Sequence, residues 1–338
     1  MKKTILTLII ISLFLITCGC KKEEEKVLNV LNWTSYIPDD VIREFEKEYG
    51  IKVNYGTYSS NEELLAKISS SKKGTYDLIF PSDYMVEVLK ERNLVDKLDK
   101  TKLANFENIN PLFLNQEYDL DNEYSLPFLM ATTILAVNRD NIKDNITGYN
   151  DLLNKKYKNN IVLLDDQRIV IGAALQSFGY DMNDFEDNHL EDAYNYLIKL
   201  KKNVKAFDSD SPKTFLISNE VDIGLIWNAE GILARDDNPN IELIYPKEGY
   251  ALSMDNYVLV KNSKNKDNAY LFIDYLLRDD VSERIIEEYP YISTNKNISS
   301  LTDEEIYEIL SNGSYVKNSL VNGENGIRKF DKLWARIK

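Results

Sequence analysis

The sequence predicts an α/β protein made of two lobes, each formed by more than one stretch of the chain. From Val27 onward, short β-branched runs alternate with longer segments whose apolar residues recur at helical spacing, and the alternation resumes after a middle stretch. No Gly/Ser-rich linker or low-complexity tract separates the two parts. The lobes are therefore expected to be discontinuous and to be joined by narrow crossings of the chain.

The first part contains three successive βα units. Asn61 is a good helix cap with acids in the turn that follows it, and Gly50 marks the end of an amphipathic segment. Strands are predicted at 27–31, 51–55 and 77–80, and helices at 38–49, 61–68 and 85–92. Three βα units in a row predict a largely parallel sheet.

The second part repeats the alternation with different spacing. Strands are predicted at 133–137, 161–164, 221–227, 241–245 and 256–260, and helices at 169–178, 192–202 and 268–277. The chain is expected to cross between the lobes near Val137 and Tyr257. One lobe is therefore predicted as residues 27–136 plus 256–300, and the other as residues 137–255 plus 301–338.

The N-terminal residues 1–20 are typical of an export signal. A positive start precedes an apolar run from Ile5 to Ile16, which is far shorter than the roughly 20 residues that span a bilayer. The run ends at small residues and two cysteines, and it resembles a bacterial lipoprotein signal that is cut before an acylated Cys. Cys20, which follows Gly19, is the better candidate for acylation, with Cys18 as the alternative. Residues 21–26 would then be a tether to the membrane.

Charge and motif content exclude several function classes. The 338 residues carry a formal net charge of −14, and their basic residues are scattered among more numerous acids, which argues against nucleic acid as a partner. No nucleotide-binding, metalloprotease or hydrolase motif occurs. His189 is the single imidazole and neither cysteine lies beyond residue 20, which excludes thiolate sites, multi-His metal sites and a disulfide framework in the body. We therefore predict that the protein is not an enzyme and uses no cofactor or metal.

Aromatic and acidic residues follow four of the predicted strands. These groups begin at Trp33, Pro81, Asp165 and Trp227. Ligands bind at the carboxyl edge of open α/β sheets, so the four groups are expected to converge in a cleft between the lobes. The four groups supply aromatic rings and carboxylates, and none of their residues that are expected to face the cleft is Lys or Arg. Such a site suits an organic cation with an aliphatic stem, because rings attract cations and carboxylates accept hydrogen bonds from ammonium groups.

At these residues the sequence resembles the spermidine/putrescine-binding proteins of bacterial ABC importers, over essentially the whole exported chain. The matching segments are Leu31 to Pro38, Ser60 to Glu62, Tyr76 to Tyr84, Asp99 to Leu103, Tyr124 to Pro127, Asp165 to Arg168, Ile226 to Asn228, Pro246 to Gly249 and Met254 to Asn256. The resemblance implies a two-lobed, periplasmic-binding-protein-like (type II) fold that closes about a hinge. It also implies a monomeric polyamine receptor without chemistry of its own, which delivers its ligand to a permease and the ATPase subunit of the permease.

The resemblance also implies roles for individual residues. Trp33, Tyr36, Tyr84 and Trp227 would be wall rings, Thr34 and Ser82 hydroxyl or backbone contacts, Asp166 and Asp255 ammonium partners, and Tyr291 a further polar ring. Asp83 is an additional candidate for an amine contact, and Glu230 a weaker one. Three positions depart from the spermidine-preferring pattern: Ser35 and Ile169 stand where Glu is common, and Ser253 stands where a Trp precedes Met-Asp.

Two other functions stay open at this point. A receptor of the same fold could bind another small cation or a ferric chelate, since Tyr and Asp can bind ferric iron. A secreted hydrolase could use Asp165, Asp166 and Glu230 as its carboxylates. A receptor would bind its ligand stoichiometrically without product, whereas a hydrolase would turn over a glycan or an ester.

Overall fold

The structure is a computed structural model that describes residues 26–317 and 325–338. The export signal, Cys20 and most of the tether lie outside the described residues. The strands are β1 Val27–Trp33, β2 Lys52–Tyr58, β3 Leu78–Ile79, β4 Ser125–Asn138, β5 Ile161–Leu163, β6 Val204–Phe207, β7 Ile223–Trp227, β8 Ile241–Ile244, β9 Tyr250–Leu259, β10 Ile292–Ser293 and β11 Gly313–Tyr315. The α-helices are α1 Asp39–Tyr49, α2 Asn61–Ser70, α3 Asp83–Glu91, α4 Gln167–Gln176, α5 Asp187–Leu200, α6 Lys213–Ile217, α7 Asn228–Asp237, α8 Lys266–Leu276, α9 Asp279–Glu288, α10 Asp303–Asn312 and α11 Asn325–Ile337.

The sheet of the first lobe runs in the order β2-β1-β3-β9-β4. β1 is parallel to β2 and to β3, as successive βα units require. β9 is antiparallel to both of its neighbours, β3 and β4. The prediction of a largely parallel sheet is therefore wrong beyond the first three strands. β9 enters this sheet after an excursion through the other lobe, so no βα crossover fixes its direction.

Helix α1 shows how local sequence sets the packing of this lobe. Its apolar residues Val41, Ile42 and Phe45 are buried on one face, and acidic residues occupy its first turn. Gly50 ends the helix with a φ of 65°, a left-handed conformation that glycine adopts without steric cost. The helix thereby covers the sheet and returns the chain to β2.

The sheet of the second lobe is built on β5, β6, β7 and the end of β4. β5 is parallel to β6 and to β7. β7 and β8 are both antiparallel to β4. Helix α11 covers this lobe and contributes Phe330, Leu333 and Ile337 to a core that also contains residues of α4 and α5.

Strand β4 is shared by the two sheets. Its residues from Ser125 to Thr132 pair with β9 in the first lobe, and its residues from Thr133 to Val137 pair with β7 in the second. β9 pairs with β3 at one end and with β11 at the other, both within the first sheet. Strand β4 therefore connects the lobes, so the predicted α/β class and the two-lobed fold are confirmed, whereas the residue bounds of each lobe stay a prediction.

Among residues 26–317 and 325–338, the helices are all too short or too polar to span a bilayer.

Candidate functional site

A cleft of about 270 Å³ lies between the two lobes. The ends of β1 and β3 reach it from the first lobe, and the ends of β5 and β7 reach it from the second. The structure therefore brings together the four groups that follow these strands. All ten predicted ligand-binding residues line this cleft: Trp33, Thr34, Tyr36, Ser82, Asp83, Tyr84, Asp166, Trp227, Asp255 and Tyr291. Their roles in binding stay a prediction.

Asp255 is the central carboxylate of the cleft. The side chain belongs to strand β9 and is only 4% exposed. One carboxylate oxygen accepts a hydrogen bond of 2.7 Å from Ser82 Oγ, and the other accepts one from the Tyr36 hydroxyl. Burial raises the pKa of Asp255 to about 6, although both hydroxyl donors favour the ionised form. Near neutral pH the cleft therefore holds a buried, mostly ionised carboxylate without a cationic partner among the groups that bond to it.

Aromatic rings form the walls around this carboxylate. The Tyr36 and Tyr291 rings are in contact, with centroids 4.9 Å apart. The Trp33 and Tyr58 rings lie 4.6 Å apart, and Trp33 Nε1 donates to the carbonyl oxygen of Phe80 at 2.9 Å. Since the polar atoms of Trp33 and Tyr36 already have partners, their ring faces are what remains for a ligand stem.

Asp83 and Asp166 use their carboxylates in backbone hydrogen bonds. The Asp83 oxygens accept from the backbone N–H groups of Tyr84 and Met254, at 2.6 and 3.0 Å. Burial raises the pKa of Asp83 to about 8, so this acid is mostly protonated at neutral pH. Asp166 caps helix α4 by accepting from the N–H groups of Arg168 and Ile169. Both acids line the cleft, and Asp166 keeps its second oxygen for a ligand.

Glu230 is a cleft residue that the sequence analysis favoured only weakly as an amine contact. It lies in the first turn of α7 and lines the cleft, as Tyr291 does. Burial is the main cause of the raised pKa of Tyr291, and the charge of Glu230 is the second cause. Oε1 accepts a 2.7 Å bond from Lys213, whereas Oε2 is buried without a hydrogen-bond partner among the described residues. The side chain is 12% exposed. An unpartnered, buried carboxylate oxygen is costly unless something that binds in the cleft satisfies it.

Arg168 contradicts the expectation that no basic side chain reaches the site. The guanidinium carbon lies 3.9 Å from the centre of the Tyr84 ring, and Nη2 lies 3.4 Å from Glu62 Oε1. Tyr84 and Glu62 belong to the first lobe and Arg168 to the second, so this cation bridges the two lobes within the lining of the cleft. Sequence reasoning missed it because the contact depends on how the two lobes face each other.

The three departures from the spermidine-preferring pattern also lie in the cleft. Ser35, Ile169 and Ser253 all line it. Ile169 is buried, and Ser35 is exposed with a φ of 56°. Trp334 of helix α11 lines the cleft as well, and this third indole was not predicted. Compared with the spermidine-preferring pattern, the cleft thus lacks carboxylates at Ser35 and Ile169 and a ring at Ser253. It has a ring at Trp334 that was not predicted.

The chemistry of the site is that of a binding cleft for an organic cation. Carboxylates at Asp255 and Glu230 face a space bounded by indole and phenol rings. Over the described part of the chain, no group of three or more potential metal ligands comes together. The arrangement can neutralise ammonium groups and cover methylenes at the same time.

Comparisons with known proteins agree with this geometry. Residues 40–308 match the family described as bacterial extracellular solute-binding protein. The spermidine/putrescine-binding periplasmic protein of Escherichia coli is 39% identical over 285 residues, which cover 84% of this chain and 82% of that protein. A protein of Listeria monocytogenes assigned to a spermidine/putrescine ABC transporter superposes with a TM-score of 0.85 at 33% identity, covering 92% of this chain and 98% of that one. The Tp0655 lipoprotein of Treponema pallidum superposes with a TM-score of 0.82 at 25% identity, covering 93% and 99% of the two chains.

Proposed function

The chain belongs to the bacterial extracellular solute-binding proteins, and from that premise we propose that it is a receptor for a linear polyamine such as putrescine or spermidine. The protein would hand its ligand to an ABC importer and would carry out no chemistry of its own. The name of the 39% identical relative and the contents of the cleft support the same ligand class.

One observation carries the proposal more than any other. Two carboxylates, the buried Asp255 on β9 and the mostly buried Glu230 on the second lobe, both lie near enough to Tyr291 for their charges to raise its pKa. One oxygen of Glu230 has no hydrogen-bond partner among the described residues, and the two oxygens of Asp255 accept from the neutral hydroxyls of Tyr36 and Ser82. A diamine would place one ammonium group on each carboxylate and its methylenes against the rings.

Closure of the lobes would be coupled to ligand arrival. Ionised carboxylates are costly to bury without a cation, so the empty cleft is expected to open and hydrate. Binding of the cation removes that cost and favours the closed arrangement. The closed shape would then be the signal that the permease recognises.

Cellular placement follows from the N-terminal sequence. We propose that Cys20 is acylated and that residues 21–26 tether the receptor to the outer face of the membrane, where it would work as a monomer with the permease and ATPase subunits. The similar Treponema pallidum protein is itself a lipoprotein. Attached acyl chains contribute roughly 0.8 kcal/mol per buried CH₂ to membrane binding.

Isothermal titration calorimetry with putrescine, cadaverine, spermidine and spermine tests the proposal. We expect stoichiometric binding of at least one of these amines, with no change in the amine recovered afterwards. Absence of heat with all four would refute the proposal. Binding of a ferric chelate in their place would favour the metal-chelate receptor, and release of a product from a glycan or ester would favour the hydrolase.

A further inference from the structure

Four residues of the second lobe that are not used in the assignments above also line the cleft: Trp334, Asp165, Asp210 and Ser209. We refer to the part of the cleft that they line as its outer end. Asp165 and Asp210 are exposed, and Ser209 Oγ is buried without a hydrogen-bond partner among the described residues. The outer end thus has a ring and two carboxylates, the same chemistry as the inner part of the cleft.

Lys338 already places an alkylammonium group at this outer end. Its Nζ lies 2.7 Å from a carboxylate oxygen of Asp165. The same nitrogen lies 4.2 Å from the centre of the Phe207 ring and 5.1 Å from that of Trp334. An ammonium group between one carboxylate and two aromatic rings has the environment that a polyamine nitrogen would require.

Helix α11 holds Lys338 in this position. Leu333 and Ile337 are buried in the core of the second lobe, and Lys201 donates to the backbone carbonyl oxygens of Ile337 and Lys338. The Phe207 and Trp334 rings meet edge to face with centroids 5.4 Å apart, which fixes the two rings around the ammonium group. The placement of Lys338 is therefore supported by packing as well as by charge.

The side chain of Lys338 is a four-carbon alkylammonium, the same unit that ends putrescine and the aminobutyl arm of spermidine. We propose that Lys338 is an internal occupant of an outer ammonium subsite, so that it competes with the third amine of a triamine and makes the receptor selective for diamines. This inference rests on the proposed polyamine function. A diamine that spans Asp255 and Glu230 does not need the outer carboxylate, whereas a triamine would have to displace Lys338 from Asp165.

Calorimetry on the Lys338→Met protein tests the inference, because methionine keeps most of the apolar stem and removes the ammonium group. Spermidine is expected to bind three- to tenfold more tightly to this variant than to the original protein, and putrescine within twofold of its original affinity. Lys332→Met is the matched control, since Lys332 is an exposed lysine of the same helix and its loss changes the net charge equally. In this control both affinities should stay within twofold.

Adding Asp165→Asn to Lys338→Met distinguishes a local subsite from a general effect of charge. The double variant should lose the gain for spermidine, because the carboxylate that would receive the third amine is gone. A gain that persists in the double variant, or a Lys338→Met protein with an unchanged ratio of spermidine to putrescine affinity, overturns the inference while the polyamine function stands. An original protein that binds neither amine refutes both.

Discussion

Replacement of Asp255 by Asn should have opposite effects on ligand binding and on the stability of the empty protein. The carboxylate is 4% exposed, and burial raises its pKa to about 6. Each pKa unit corresponds to about 1.4 kcal/mol, so the rise from 3.8 to about 6 makes the ionised group cost the empty protein about 3 kcal/mol at neutral pH. An amide carries no such charge. One of the hydroxyls of Tyr36 and Ser82 must turn to accept from the new NH₂ group, which offsets about 1 kcal/mol of the gain.

The sign of the pH dependence follows from the direction of the pKa change. Between pH 4 and pH 6 the folded protein holds a proton on Asp255 that the unfolded chain has lost, so this group lowers the free energy of unfolding as pH rises through that window. Asp255→Asn should therefore raise the free energy of unfolding by about 2 kcal/mol at pH 7 and by progressively less toward pH 4. Polyamine affinity should fall about 100-fold, or about 2.7 kcal/mol, because the ammonium group loses its ionic partner.

Urea unfolding of the ligand-free protein and calorimetry with putrescine and spermidine, both at several pH values, measure the two effects. In the original protein, affinity should weaken as pH falls through about 6, because protonation of Asp255 removes the charge that binds the amine. Asp237→Asn, at an exposed site on α7, is the control with the same change in net charge. An Asp255→Asn protein that binds polyamines with unchanged affinity, or that is less stable than the original when empty, would refute the reasoning.

Three further predictions concern neighbouring side chains. Glu230→Gln should weaken polyamine binding at least tenfold in calorimetry, because the unpartnered oxygen loses its charge; equal affinity would remove Glu230 from the site. Trp227→Ala should lose a ring contact of roughly 0.5 to 2 kcal/mol and shift the measured preference toward shorter diamines, whereas an unchanged ratio of affinities would contradict a stacking role. Asp83→Asn should raise the free energy of unfolding at pH 7 by about 1 to 3 kcal/mol, because it removes a carboxyl whose raised pKa costs the folded protein about 4 kcal/mol, whereas the backbone N–H that would face the new amide NH₂ costs about 1 to 3 kcal/mol. Chemical denaturation measures this change, and a variant less stable than the original would show that the two backbone bonds outweigh the cost of the raised pKa.

Much of the fold could be predicted from local patterns. The βα units between Val27 and Glu91 have clear apolar periodicity and stop signals such as Gly50, and they form where expected. Strand β4 was predicted only over 133–137, whereas it begins at Ser125. Pro127 lies in the earlier half, at an irregularity of the register with β9, and proline ordinarily argues against a central strand. Its partners are more than a hundred residues away, so no local pattern could indicate the extension.

The part of the site that could be predicted consists of the residues that directly follow strands. Rings and acids that follow β1, β3, β5 and β7 meet because the carboxyl edges of the two sheets face the same cleft. Arg168 and Trp334 were missed for a different reason, since their positions depend on the approach of the lobes and on the packing of α11. The sequence did offer one signal for Arg168. It is a charged residue two positions after Asp166, in the first turn of a helix that begins at the cleft.

The sharing of β4 between the sheets also has a consequence for how the chain folds. Leu126 of β4 pairs with Tyr257 of β9. The first sheet therefore lacks β9, the strand between β3 and β4, until about 130 residues after Leu126 have been added to the chain. Contacts of such long sequence separation slow folding, because the entropy of closing a large loop must be overcome before the pairing is gained. After synthesis, a chain with this topology is therefore expected to stay unfolded for longer than a chain whose strands pair with near neighbours in the sequence.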